Sequence, residues 1–145
     1  MSTQHLEILD TAVHKTHQWL DSLAEAAHLD KHTALQALRS VLHTLRDRLP
    51  PEEAAQFAAQ LPILVRGMFY EGYQPARTPL RLSKEEFLAR VSAGIASNRS
   101  IAPTEITEHV FLLLERFLGA GELQKLGLVL PSDLCSLLPE RNRAL

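Results

Sequence analysis

The sequence predicts an all-α fold, and three features carry that expectation. Apolar residues recur at three- and four-residue intervals through most of the chain. Prolines and capping residues interrupt those intervals at helix-like lengths. No segment shows sustained apolar–polar alternation with the turn chemistry of hairpins.

Leu6, Leu9, Val13, Leu20, Ala24 and Ala27 place a first helix over about residues 6 to 27. Asp30 is a suitable N-cap for a second, whose stripe is Leu35, Leu38, Leu42, Leu45 and Leu49. Pro50 and Pro51 end it. Pro51 followed by Glu52 and Glu53 then opens a third helix, with φ pre-set and acids at the positive dipole end. Pro62 disfavours helix at Leu61, so a short fourth helix runs from there to Glu71, with Gly72 as its stop. Ser83 and Glu86 have capping-box spacing and start a fifth helix through Phe87, Leu88, Val91 and Ile95. Asn98 to Ala102 reads as a loop. Pro103 opens a sixth helix that Gly119 ends, a seventh covers Gly121 to Val129, and Pro131 and Pro139 bracket an eighth.

The second half reads as a repeat of the first. At a shift of 69, Val41, Leu45, Leu49 and Glu53 fall on Val110, Leu114, Leu118 and Glu122, and Leu61-Pro62 falls on Leu130-Pro131. Val65, Met68 and Phe69 fall on three leucines, while Trp19-Leu20 meets Phe87-Leu88 at a shift of 68. The expected organisation is one domain over 1–145, with unit one at about 4–73, a linker at about 74–82 and unit two at about 83–139. Units of this size are marginal alone, so the two are expected to share a core.

Composition bounds the class of protein without naming its task. The 145 residues carry 15 Lys and Arg against 17 Asp and Glu, so no excess of positive charge draws the chain to phosphate backbones or anionic lipid. No apolar run approaches the ~20 residues of a membrane span. The opening Met-Ser-Thr-Gln-His lacks the basic start and apolar core of a secretion signal. A single cysteine, Cys135, excludes an internal disulfide and suits a reducing cytoplasm.

The string Leu45-Arg-Asp-Arg-Leu49, followed by Gln60-Leu-Pro62, Arg66-Gly67 and Tyr70-Glu-Gly-Tyr73, resembles a bacterial family known as domain of unknown function 2267. Thr16-His17-Gln18-Trp19-Leu20, Gly121-Glu122 and Leu130-Pro131 fit the same pattern. The resemblance implies a two-unit helical fold in a bacterial, cytoplasmic protein, and it implies no activity. Tyr73 stands where the family usually carries Trp, and Cys135 stands in a last helix where a basic residue is common.

The constellations that carry chemistry are sparse. His14 and His17 share a helix face, and His28 and His32 flank a turn, but no set of three or four ligands is spaced for zinc or iron, so no metal and no cofactor are expected. Cys135 lies in apolar Leu134-Cys-Ser-Leu-Leu138, which raises a thiol pKa and leaves it inert. No nucleophile elbow and no phosphate-binding glycine loop occurs, so no catalytic residue is assigned. Arg66, Arg77 and Arg81 with Tyr70 and Tyr73 give a thin case for nucleic acid.

Comparing the two halves is more informative. His43 becomes Leu112, Arg48 becomes Phe117, Gln60 becomes Val129 and Arg66 becomes Cys135, so the first half keeps polar groups that the second replaces. This asymmetry nominates Asp47, Arg48, Arg66, Tyr70, Glu71 and Tyr73 as a partner-binding surface, the bland alternative being an Asp47–Arg66 or Arg48–Glu71 ion pair. Arg66 is expected partly exposed and Cys135 buried. Gly67, inside a short helix, is read as a close approach of another backbone. Val110 to Leu114 is apolar nearly all round, so Phe111, Leu112 and Leu113 are nominated for self-association, possible as a homodimer. The leading expectation is a non-enzymatic helical interaction or scaffold module. The alternative is a small-ligand protein or enzyme with a pocket between the units near Asp47, Arg48 and Arg66, and a nucleic-acid binder is third.

Overall fold

A computed structural model describes residues 6–96 and 101–140. It contains eight α-helices among those residues and no strand: α1 Glu7–Ala27, α2 Lys31–Arg48, α3 Pro51–Ala58, α4 Ile63–Tyr70, α5 Lys84–Ala93, α6 Pro103–Leu118, α7 Ala120–Val129 and α8 Ser132–Cys135. The all-α expectation is therefore met. The helix boundaries follow local chemistry. Asp30 caps α2 by accepting from the Thr33 amide at 2.7 Å. Ser83 and Glu86 complete both halves of their capping box at the start of α5, and those bonds from Ser83 hold the Glu86 carboxyl below its ordinary pKa. Pro51 and Pro103 occupy first turns, while Pro62 and Pro131 directly precede α4 and α8. Gly72, at φ +69°, turns the chain out of α4. The last helix is a single turn, and the expected loop at Asn98–Ala102 falls largely outside the described residues.

The expected linker carries one 3₁₀ turn, Pro75–Arg77, and is tied to the end of α2 by the Leu80 amide, which donates to the Asp47 carbonyl at 2.7 Å. Helices α2 and α6 form the centre. Helix α2 packs on α1, α4, α5 and α6, and α6 packs on α1, α2, α5 and α7. Leu38, Leu42, Leu45 and Leu49 of α2 and Val110, Phe111, Leu113 and Leu114 of α6 are buried in one continuous core. Full burial of each such side chain contributes about 1.5–3 kcal/mol. The Trp19 ring of α1 stacks on Phe117 of α6 with centroids 5.2 Å apart, so the first helix of the chain is anchored on its second half.

One glycine does what another was expected to do. Gly67 is exposed, and a Cβ placed there would meet nothing within 4 Å. The close approach is at Gly94, just past α5, where a methyl group would collide with the Ser40 side chain of α2. Ser40 uses this proximity: its hydroxyl donates to the Val91 carbonyl at 2.7 Å, a shorter bond than the 3.2 Å one that the Gly94 amide makes to the same acceptor.

Candidate functional site

The sequence-nominated polar residues separate into a cluster and two outliers. The cluster surrounds a residue not nominated, Arg46, whose side chain is 6% exposed at the end of α2. Its Nε donates to Asp47 Oδ1 at 2.9 Å, and its Nη1 donates to the carbonyls of Phe69 and Glu71 at 2.9 and 2.6 Å. These carbonyls lie at the C-terminal end of α4, where backbone acceptors lack intrahelical partners and a cation is favourable. The guanidinium also lies 5.2 Å from the centroid of the Tyr73 ring, which packs in turn against Tyr70. Asp47, Tyr70, Glu71 and Tyr73 are thus gathered around one buried cation. Glu71 also reaches Arg39, its carboxylate 3.3 Å from Nε.

Arg66 points elsewhere. It is half-buried, and its guanidinium donates to the carbonyls of Ala58, Ala59 and Leu61, closing the end of α3. Cys135 is buried at the equivalent place, its thiol 3.4 Å from the carbonyls of Gly127 and Leu130. Arg48 is half-buried with Nε enclosed and lacking a hydrogen-bond partner. The ion pairs formed here are Arg46–Asp47 and Arg39–Glu71. The signal that identifies Arg46 was present in the sequence: it lies one turn from both Leu42 and Leu49, on the apolar face of α2.

Beside the cluster a cleft of about 260 Å³ opens between α2 and the end of α5. Its walls carry Arg39, His43, Arg46 and Asp47 from α2, with Arg90 and Gly94 opposite. His43 donates from Nε2 to the Met68 carbonyl at 2.6 Å. Burial, reinforced by the Arg46 charge, pulls the His43 pKa below its ordinary value, against the opposing effects of the Met68 bond and the Glu71 and Asp47 carboxylates. A second cleft of about 310 Å³ between α6 and the residues after α8 is lined by Leu112, Leu137, Leu138 and three glutamates.

The apolar candidates also divide. Phe111 and Leu113 are core residues, and Leu112 alone of the three reaches the surface, at 47% exposure. A larger apolar surface lies on α1. Leu6, Ile8, Leu9 and Val13 are between 48% and 74% exposed, and from residue 6 to residue 18 only Ala12 and Thr16 are partly covered. Among the described residues no group of three or more His, Cys, Asp and Glu side chains is placed to hold a metal ion, and no helix is long and apolar enough to cross a membrane.

These features define a small all-α domain built on two central helices, with a buried arginine, a basic cleft and an uncovered apolar helix arm. The chain belongs to DUF2267, a family of uncharacterised conserved proteins, which it matches over residues 16–137. No curated protein matches it.

Proposed function

We propose that this protein is a non-enzymatic helical interaction module that pairs with a second copy of itself through the outer half of α1. The observation that carries the reading is the uncovered stripe. Leu6, Leu9, Val13, Thr16, Leu20 and Leu23 alternate at intervals of three and four, the seam spacing of paired helices. The inner half of that seam, with Trp19, Leu20 and Leu23, is buried against the body. The outer half continues the same seam into solvent for roughly 18 Å. A helix with a matching seam is the natural partner, and a second copy supplies one by two-fold symmetry, the commonest arrangement of homo-oligomers. Leu112 is outside this stripe and is assigned no part in it.

We further propose that the domain is an internal duplication. Supporting it are the register of α2 with α6 and α3 with α7, the reciprocal packing of α1 on α6 and α5 on α2, and the matched bonds of Arg66 and Cys135. The buried lone thiol suits a reducing compartment, which supports a cytoplasmic setting.

Light scattering at about 100 µM tests the pairing. The wild type should be a dimer, Leu9→Glu with Val13→Glu a folded monomer, and Leu112→Glu still a dimer. A monomeric wild type at that concentration overturns the pairing.

A further inference from the structure

The cleft between α2 and α5 has a composition unlike the chain around it. The protein carries more acidic than basic residues, yet the cleft walls present three guanidinium groups, Arg39, Arg46 and Arg90, against one carboxylate, Asp47. Asp47 and Arg46 are bonded to each other, and Arg46 is held by Phe69 and Glu71 carbonyls as well. That pair is part of the framework. Arg39 and Arg90 are both exposed and lie on opposite walls, one from each helix. Among the described residues Arg39 pairs with the exposed Glu71 carboxylate, in a surface pair of the kind worth about 0–1 kcal/mol, which an incoming anion readily replaces.

The floor explains why the cleft persists. Ser40 and Gly94 bring α2 and α5 into direct contact at its base, through the Ser40 hydroxyl and the missing Gly94 side chain. The two arginine-bearing helices are therefore held against each other at this contact. His43 stays neutral at neutral pH because burial disfavours its charge. Its Nε2–H is committed to the Met68 carbonyl, which leaves Nδ1 as a hydrogen-bond acceptor.

We propose that this cleft is a binding site for a small oxyanion, a phosphate or carboxylate group clamped between Arg39 and Arg90. Two planar guanidiniums match the paired oxygens of such a group, and two of them converging on one anion supply bidentate, charge-assisted bonds that a single surface arginine does not. A volume near 260 Å³ accommodates a free phosphate or a small organic acid. The site is independent of the α1 seam, so the two readings stand or fall separately.

Isothermal titration in a low-salt, phosphate-free buffer tests it, with inorganic phosphate and succinate as probes. One-to-one saturable binding of phosphate identifies a phosphate-type ligand, and of succinate alone a carboxylate-type ligand. Arg90→Gln and Arg39→Gln should each weaken binding by about tenfold or more, the loss of one charge-assisted contact. Arg77→Gln, on the exposed linker turn, should leave it unchanged. In nitrogen-labelled protein, the Nε–H signals of Arg39 and Arg90 should shift on titration. Absence of saturable binding by either probe, or binding indifferent to both cleft substitutions, overturns the proposal.

Discussion

Arg66 and Cys135 lie 69 residues apart and close the same kind of helix end. Arg66 donates to the carbonyls of Ala58 and Leu61, and Cys135 approaches those of Gly127 and Leu130, each acceptor displaced by the same 69 positions. A long cation does in the first half what a small thiol does in the second. The difference is one of reach and solvent access, since Arg66 stays half-exposed while Cys135 is buried. The asymmetry that nominated Arg66 as a binding residue thus has a backbone-capping explanation. Arg66→Ala should lower stability by about 1–2 kcal/mol, because water replaces part of what is lost at a half-exposed site. Cys135→Ala should cost less, an S–H donor being weak. Urea denaturation of the two variants measures both, and a larger loss at Cys135 would contradict this account.

A second prediction concerns Arg46. It is almost fully enclosed, carries a carboxylate partner in Asp47, and satisfies two carbonyls at the end of α4. Arg46→Ala leaves a largely buried carboxylate and two acceptors without their donor. It should cost about 3–5 kcal/mol, the scale seen when one partner of a buried pair is removed. Adding Asp47→Asn should recover part of that loss, because the orphaned charge disappears. Strictly additive losses in the double variant would show that the pair is not coupled.

Much of this architecture was legible in the sequence because it rests on local chemistry. Asp30, Ser83 with Glu86, and the prolines at 51, 62, 103 and 131 act on their own helix ends, and each lies where its sequence context placed it. What eluded the sequence depends on packing between distant helices. The periodicity of α1 announces its stripe, yet nothing local says that Leu20 and Leu23 are covered while Leu6 and Leu9 are not. Phe111 and Leu113 are covered internally, since a central α6 meets neighbours on several sides, while Leu112 between them reaches the surface. Arg46 was overlooked because its charge drew it into the polar end of α2, although its spacing from Leu42 and Leu49 put it on the inner face. A pocket between the units near Asp47 was expected, and a cleft does open there, but its lining was not legible: Arg48 and Arg66 are absent from it, and Arg39 and Arg90 come to share it only through the contact of Ser40 with the end of α5.

The lone tryptophan reports on how α1 is held. Trp19 is 1% exposed and stacked on Phe117, and its Nε1–H is enclosed without a hydrogen-bond acceptor. Trp19→Ala removes the ring and leaves a cavity between α1 and α6, costing about 3–5 kcal/mol. Trp19→Phe also loses volume but deletes an unsatisfied donor, so it should cost clearly less. Thermal melts followed by circular dichroism compare them, and equal losses would show that the stacking contact is unimportant.

His43 gives the fold a pH dependence with a definite sign. Its folded-state pKa lies below the ordinary value of 6.5, chiefly through burial. Between those two values the unfolded chain binds a proton that the folded protein resists, so stability rises with pH across that window and is level above it. Acidification from pH 7 to below 6 should therefore lower the melting temperature. His43→Gln, which keeps a donor near the Met68 carbonyl, should remove that part of the slope. Nuclear magnetic resonance titration of the imidazole measures the pKa directly, and a value above 6.5 would reverse the expected sign.

The last prediction turns on Gly94 and Ser40, where α5 ends against α2. A Cβ at position 94 would overlap Ser40 Oγ, which its bond to the Val91 carbonyl holds in place, and crowd Ser40 Cβ at 2.8 Å, which cannot turn away without the backbone. Relief therefore requires the two helices to separate, which also breaks the 2.7 Å bond from the Ser40 hydroxyl to the Val91 carbonyl. Overpacking of this kind costs about 1–3 kcal/mol. Gly94→Ala should show that loss even though alanine is tolerated at the ordinary φ of −83° found there. Ser40→Gly alone should cost about 0.5 kcal/mol in helix propensity, plus the lost hydroxyl bond. Combining the two removes the obstructing atoms, so the double variant should be more stable than the sum of the single losses by about 1 kcal/mol or more. The same double variant keeps Arg39 and Arg90 but alters the floor that spaces them. Additive energies in the cycle would mean that the helices already have room to part, and that the cleft above them is not held at a fixed width.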